Sequence, residues 1–159
     1  ITGLMNIVYN KGRSTVIILD NSITGMTGHQ QNPATGKDIR GDAAPAVNLE
    51  QLCRALGVSD VKTVDPFDMP ALREAVLSSL AFDGPSVVIA RRPCALLSKA
   101  RTAPLRVTQS CIGCRRCMGI ACPALIFEAG RARVDISLCN GCGLCASVCP
   151  KGAIVKEEM

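Results

Sequence analysis

Tryptophan is absent from the 159 residues, and one tyrosine and three phenylalanines are the only aromatics. No dense basic run interleaves with them, so the chain does not read as a nucleic-acid binder. Charge of one sign is also scarce. Residues 1–109 carry twelve Lys/Arg against nine Asp/Glu, and residues 110–159 carry six against four. No apolar run approaches the length of a membrane span, so no membrane partner is expected. A single histidine, His29, stands far from the cysteines in sequence. No signal peptide is visible, which argues against a secreted disulfide framework and for a cytoplasmic location.

Cysteine, by contrast, is abundant. Eight of the ten lie in the forty residues from Cys111 to Pro150. They fall into two arrays, Cys111-Ile-Gly-Cys114-Arg-Arg-Cys117-Met-Gly-Ile-Ala-Cys122-Pro123 and Cys139-Asn-Gly-Cys142-Gly-Leu-Cys145-Ala-Ser-Val-Cys149-Pro150. Each opens with C-x2-C-x2-C, which puts three thiolates on one tight loop around one [4Fe–4S] cube. The fourth cysteine, before proline, is carried off by a short helix to the other cube. Cys111, Cys114, Cys117 and Cys149 are therefore expected to hold one cluster. Cys139, Cys142, Cys145 and Cys122 are expected to hold the second. Structural zinc prefers four ligands in two pairs with a longer gap between them, a poorer match to three close thiols plus one, twice over. The first array departs from the usual count: four residues, Met118 to Ala121, precede Cys122 instead of three, and the extra one must bulge the loop beside the second cluster. So small a module draws much of its order from its metal.

Upstream, the pattern is α/β. Residues 3–10 have helical spacing and stop at Lys11-Gly12. Ser14-Thr-Val-Ile-Ile-Leu19 is an unbroken run ending at Asp20-Asn21, as in a parallel strand buried on both faces. Residues 21–47 form a long Gly-, Thr-, Asn- and Pro-rich loop of the kind that is usually functional. A helix follows over 48–56, capped by Asn48 and stopped by Gly57. A strand is predicted over 61–65, a helix over 68–82 with Pro70 in its first turn, and a strand over 85–90. This order is a partial doubly wound fold whose opening strands are missing, so the chain is expected to be the carboxy-terminal part of something longer. Residues 1–94 are assigned to this domain, 95–109 (with Lys99, Arg101, Pro104 and Arg106) to a linker, and 110–159 to a small α+β ferredoxin-like module with short strands at 133–136 and 153–155. Ligands of such sheets bind beyond the carboxyl ends of strands, and Asn21 supplies a neutral oxygen there. A diphosphate with its Mg²⁺ and a plain turn capping the strand are both open readings.

The run Val16-Ile-Ile-Leu-Asp-Asn-Ser-Ile-Thr-Gly-Met-Thr-Gly-His-Gln-Gln-Asn-Pro33 resembles the thiamine-diphosphate domain of the 2-oxoacid:ferredoxin oxidoreductases. Val64-Asp-Pro-Phe-Asp68, Arg91-Arg-Pro-Cys94 and the terminal cysteine module extend the resemblance over the whole chain. It points to the carboxy-terminal part of the large subunit in the indolepyruvate branch of that family. Carried onto this sequence, Asn21 would bind Mg²⁺ through its side chain and Ile23 through its backbone carbonyl. Gly25, Met26 and Thr27 would line the diphosphate and thiazolium. The family's Gly-Asp-Gly half of the motif is absent, and Gly41-Asp42 cannot replace it because it follows Asn21.

The resemblance implies oxidative decarboxylation of an aryl pyruvate such as indolepyruvate, with coenzyme A, to an acyl-CoA and CO2. Electrons would pass through two [4Fe–4S] clusters to ferredoxin. Thiamine diphosphate and Mg²⁺ are the further cofactors, and a smaller beta subunit is the implied protein partner. The competing reading is a non-catalytic two-cluster ferredoxin fused to an unrelated α/β domain. His29 reads as a hydrogen-bonding loop residue rather than a catalytic base, Cys53 as core, and Cys94 as a thiol no cluster needs. Arg115 and Arg116 read as a solvated surface, or as charges that raise a cluster's potential or meet an acidic ferredoxin.

Overall fold

Val87, Val88 and Ile89 are wholly buried, and the strand they belong to is the middle one of a three-stranded parallel sheet. The structure, a computed structural model, describes residues 1–26, 28–97 and 102–156. It divides into two compact units between Leu97 and Ser98. The first contains α1 (Thr2–Tyr9), β1 (Thr15–Asp20), α2 (Leu49–Ala55), β2 (Asp60–Val64), α3 (Met69–Ala81) and β3 (Ser86–Arg91), followed by a 3₁₀ turn at Ala95–Leu97. The strand order is β1-β3-β2, with Thr15 and Asp60 both in register with Ser86. Each wholly buried aliphatic side chain of β3 contributes about 1.5–3 kcal/mol relative to exposure.

Helices lie on both faces, as the α/β pattern requires. Leu4 and Val8 of α1 and Leu49 and Cys53 of α2 pack with Val16, Ile18, Val61, Val87 and Ile89. The opposite face carries Thr15, Ser86 and Asp60 in one row, and α3 covers it over β2 and β3. Thr15 Oγ1 and Ser86 Oγ both donate to the Ser79 carbonyl near the end of α3, at 3.1 and 3.0 Å. The helix starts follow the sequence: Asn48 Oδ1 accepts from Gln51 N at 3.0 Å and Asp68 Oδ1 from Ala71 N at 3.1 Å, satisfying first-turn donors.

The expectation that β1 is buried on both faces is corrected. Ile17 is 49% exposed and Leu19 80% exposed. β1 is an edge strand, and α3 sits over its neighbours, so the face that Ile17 shares with Val88 is left uncovered at β1. Among the described residues of the long loop over 21–47 there is no helix or longer strand, only the isolated bridges Thr24↔Gln30 and Lys37↔Ala43.

The second unit has β4 (Leu105–Val107) paired antiparallel with β7 (Ile154–Lys156), and β5 (Leu125–Glu128) with β6 (Arg131–Val134). A 3₁₀ turn, Arg116–Ile120, and a short helix α4, Leu144–Ser147, each precede a fourth cysteine. β4 falls within the stretch read as a linker, where buried Leu105 belongs to the core of this unit. Lys99 and Arg101 of that stretch lie outside the described residues. The strand predicted over 133–136 is β6 and begins earlier, at Arg131, because the Ala129-Gly130 turn, both residues at positive φ, sets its register against β5. Among the described residues no helix is long and apolar enough to cross a membrane.

Candidate iron–sulfur and cofactor sites

The two arrays fold as a structural repeat. In each, the first cysteine is half-buried, the second exposed, the third buried and the fourth half-buried, and all eight thiols are free. The residue before the second cysteine is a left-handed glycine in both, Gly113 at φ 67° and Gly141 at φ 69°. Neither could carry a side chain. A Cβ at Gly113 would stand 2.3 Å from the Gly130 carbonyl, and one at Gly141 2.5 Å from that of Ala103. The residue after the second cysteine is left-handed as well. The second array uses Gly143 there, but the first uses Arg115 at φ 60°, whose guanidinium lies 4.1 Å over the Phe127 ring. That cation–π contact offsets part of the cost of a left-handed non-glycine residue.

The fourth cysteines cross over. Cys111, Cys114, Cys117 and Cys149 line one cavity together with Gly113, Arg115, Phe127 and Lys151. Burial pushes the Cys117 thiol up, and the sulfurs of Cys111, Cys149 and Cys114 push the same way. Burial likewise pushes Cys145 up to about 11, joined by Cys142, Cys139 and Cys122. Cys122 thus sits with the second array and Cys149 with the first. Thiols this reluctant to ionise alone, facing three others, suit a centre whose positive charge holds four thiolates together. No three His, Cys, Asp or Glu side chains among the described residues converge on a point that would hold a single metal ion. The four thiols of the first quartet line one cavity instead, the donor set an iron–sulfur cube takes.

Backbone donors already aim at sulfur. Ala153 N–H donates to Cys149 Sγ at 3.3 Å and Leu105 N–H to Cys139 Sγ at 3.5 Å. Backbone hydrogen bonds from Ala132 and Gly113 hold the Cys111 thiol below its ordinary range, helped by the charge of Arg131. The extra residue of the first array is resolved by a change of helix type: the segment tightens to 3₁₀, and Ala121, at φ 54°, turns left-handed directly before Cys122. In the second array Val148 stays right-handed before Cys149.

Asn21 stands at the carboxyl end of β1, tied to the end of β3. Its carbonyl accepts from Cys94 N–H at 2.9 Å, and the Asp20 carbonyl accepts from Arg92 N–H at 3.0 Å. Asn21 Oδ1 accepts from Ile23 N–H at 3.2 Å, curling the loop so that the Ile23 side chain is buried. Gly25 is adjacent, its would-be Cβ 3.7 Å from Asn21 Nδ2. Met26 is 99% exposed, and Thr27 lies outside the described residues. The nearby carboxylate, Asp20, is held by Arg91 Nε at 2.8 Å and by Ser22 N–H at 3.0 Å. Among the described residues no hydrogen bond uses the Ile23 carbonyl. The side-chain oxygen of Asn21 and the carbonyl of Ile23 are neutral oxygens of the type Mg²⁺ accepts. His29 is exposed at φ 63°, on a loop cavity it shares with Asn32, Lys37 and Arg40. Cys53 is core, 2% exposed, and burial pushes its thiol up.

The first unit is a parallel α/β unit with an asparagine turn at a strand's carboxyl end, and the second is a cysteine-rich ferredoxin-type module. The chain belongs to the thiamine pyrophosphate enzyme family, whose C-terminal TPP-binding domain matches residues 1–90. A 4Fe-4S binding domain matches residues 132–155. Among curated proteins, the chain is 44% identical to indolepyruvate oxidoreductase subunit IorA of Archaeoglobus fulgidus over 95% of this chain and 25% of that one. It is 41% identical to the IorA subunit of Methanothermobacter marburgensis over 97% of this chain and 25% of that one. Pyruvate synthase subunit PorD of Thermotoga maritima is 44% identical over 32% of this chain and 54% of its own length. The chain spans about a quarter of the length of the IorA relatives.

Proposed function

We propose that this chain contributes the cofactor-facing and electron-relay end of a 2-oxoacid:ferredoxin oxidoreductase acting on aryl pyruvates, indolepyruvate first. The reading includes coenzyme A as acyl acceptor, CO2 and an acyl-CoA as products, ferredoxin as electron acceptor, a smaller beta subunit as partner, and a cytoplasmic location. The observation that carries it is the crossing of two thiol quartets behind a thiamine-pyrophosphate-binding domain. A fused electron carrier leaves that domain, and the asparagine turn at its strand end, without a purpose.

In this reading Cys111, Cys114, Cys117 and Cys149 hold one [4Fe–4S] cluster, and Cys139, Cys142, Cys145 and Cys122 the other. Asn21 through its side chain and Ile23 through its backbone carbonyl would hold Mg²⁺, and Gly25, Met26 and Thr27 would line the diphosphate and thiazolium. When bound, thiamine diphosphate supplies the electron sink that lets a carboxylate leave as CO2, and the clusters accept electrons one at a time. The Arg91–Asp20 pair and the Cys94-to-Asn21 hydrogen bond fix the rim on which Asn21 stands. This reading assigns only neutral oxygens of this chain to Mg²⁺, so the chain alone should not reduce a viologen dye with indolepyruvate and coenzyme A.

The test is iron and acid-labile sulfide analysis of the anaerobically reconstituted chain, where about eight of each are expected. Two zinc ions per chain purified without oxygen would sink the reading. In the assembled enzyme, Asn21→Ala should abolish oxoacid-dependent dye reduction with the iron content unchanged. Full activity in that variant would remove Asn21 from the Mg²⁺ site.

A further inference from the structure

The two quartets share a fold but not an electrostatic setting. Between its second and third cysteines the first array carries Arg115 and Arg116, where the second carries Gly143 and Leu144. Arg115 lines the cavity of the first quartet's thiols, and so does Lys151, two residues past Cys149. Arg116 lines the adjoining hollow with Cys149 and Pro150. All three cations are exposed, and none has an ion-pair partner among the described residues. Residues 138–149, which hold the second array, contain no charged side chain, and the Asp135 carboxylate lies just before them. N–H donors to sulfur are matched: Ala153 N–H donates to Cys149 in the first quartet and Leu105 N–H to Cys139 in the second, so the difference lies in the cations.

A reduced cube carries one more negative charge than an oxidised one. Nearby cations and N–H···S hydrogen bonds therefore favour the reduced form and raise the potential. The same cations, being exposed, attract an acidic protein and steer it on approach.

Resting on the two-cluster reading above, we propose that the cluster held by Cys111, Cys114, Cys117 and Cys149 has the higher midpoint potential and is the exit. Arg115, Arg116 and Lys151 form its docking face for an acidic one-electron carrier protein. One electron passes from the reduced second cluster to the oxidised first, and one from the reduced first to the oxidised carrier. Each transfer oxidises the donor and reduces the acceptor by one electron.

The experiment uses the full chain, reconstituted anaerobically and reduced with dithionite. Arg115→Gln/Arg116→Gln/Lys151→Gln is compared with the wild type and with the control Arg106→Gln/Lys156→Gln on the β4–β7 ribbon. Because Arg115 stacks on Phe127, Arg116→Gln/Lys151→Gln is read in parallel as a variant with that packing intact. In a redox titration followed by electron paramagnetic resonance, the higher of the two midpoints should fall and the lower should stay. In stopped flow with an acidic plant-type [2Fe–2S] ferredoxin, transfer at low salt should slow about tenfold, with the difference vanishing at high salt. The control should leave both readouts near wild type. Movement of the lower midpoint instead, no movement of either, or equal slowing in the control would overturn the proposal while leaving the two-cluster reading standing. Fewer than two cubes in the wild type by iron analysis would overturn that reading first.

Discussion

In the first unit, order comes from aliphatic burial: Val87, Val88 and Ile89 are fully enclosed, with α1 and α2 on one face of the sheet and α3 on the other. In the second, the buried cluster is Leu105, Leu125, Ala132, Val134 and Ile154 together with Cys117 and Cys145, and four more cysteines pack against it. One unit thus has a core complete without metal. The other has cysteine thiols where a core would be, so its folding and its chemistry are expected to depend on the same centres. A unit of this size, Ser98–Met159, is marginal on burial alone, so a metal centre adds stability where it is needed most.

The largest test of that contrast is to withhold iron. In chain prepared anaerobically without iron and sulfide, amides of residues 105–156 should exchange with solvent at close to unfolded rates. Those of β1, β2 and β3 should stay protected. Adding iron and sulfide should restore protection to β5 and β6. Protection of β5–β6 in metal-free chain would break the comparison, because the second unit would then have an adequate core of its own.

A smaller effect separates fit from conformation within the second unit. Gly143→Ala meets no atom within 4 Å and bears only the cost of a left-handed alanine, about 1 kcal/mol. Gly141→Ala bears that cost and also drives a Cβ to 2.4 Å from Thr102 Oγ1 and 2.5 Å from the Ala103 carbonyl. The second cluster should be lost from Gly141→Ala, dropping iron from about eight to about four per chain, while Gly143→Ala keeps its iron. Equal iron in the two variants would mean that the close approach at Gly141 is not needed to form the site.

These glycines show what the sequence could and could not disclose. C-x2-C-x2-C and the following Cys-Pro state which thiols belong together, because ligand spacing is local, and the structure places Cys149 beside the first array and Cys122 beside the second. The extra residue before Cys122 was countable, but a left-handed Ala121 behind a tightened turn depends on how the chain must reach the other quartet. β5 was not legible, since Leu125-Ile-Phe-Glu128 is too short to show alternation and is defined by its pairing with β6. β1 failed for a related reason. An unbroken apolar run predicts two buried faces, yet coverage is set by where α3 lies, and Leu19 is left 80% exposed. Asn21 was legible through the run it belongs to, whereas its use of Oδ1 to hold Ile23 N–H was not.

The smallest expected effect concerns a charged network between the sheet and α3 in the first unit. Asp60 shares the α3 face of the sheet with Lys62, and Ser79 of α3 packs onto it. Lys62 Nζ is 2.6 Å from Asp60 Oδ2, Ser79 Oγ donates to the same oxygen at 3.0 Å, and Lys62 Nζ donates to Ser79 Oγ at 3.1 Å. Burial alone would raise the Asp60 carboxyl. The hydrogen bonds from Lys62 and Ser79, with the charges of Lys62 and Arg54, outweigh it and hold the group below its ordinary value. A folded value below the unfolded one, about 3.9, gives stability that is fully present above that pH and is lost as pH falls through the folded value. Cluster loss in acid would obscure this in a global melt, so the readout is urea unfolding followed at the β2 and β3 amides between about pH 5 and about pH 3. The wild type should lose stability on acidification with a steeper slope than Asp60→Asn, and the variant should already be weaker at the upper end. Matching slopes would show that the sheet stands on its aliphatic core alone, and would make the contrast between the two units sharper still.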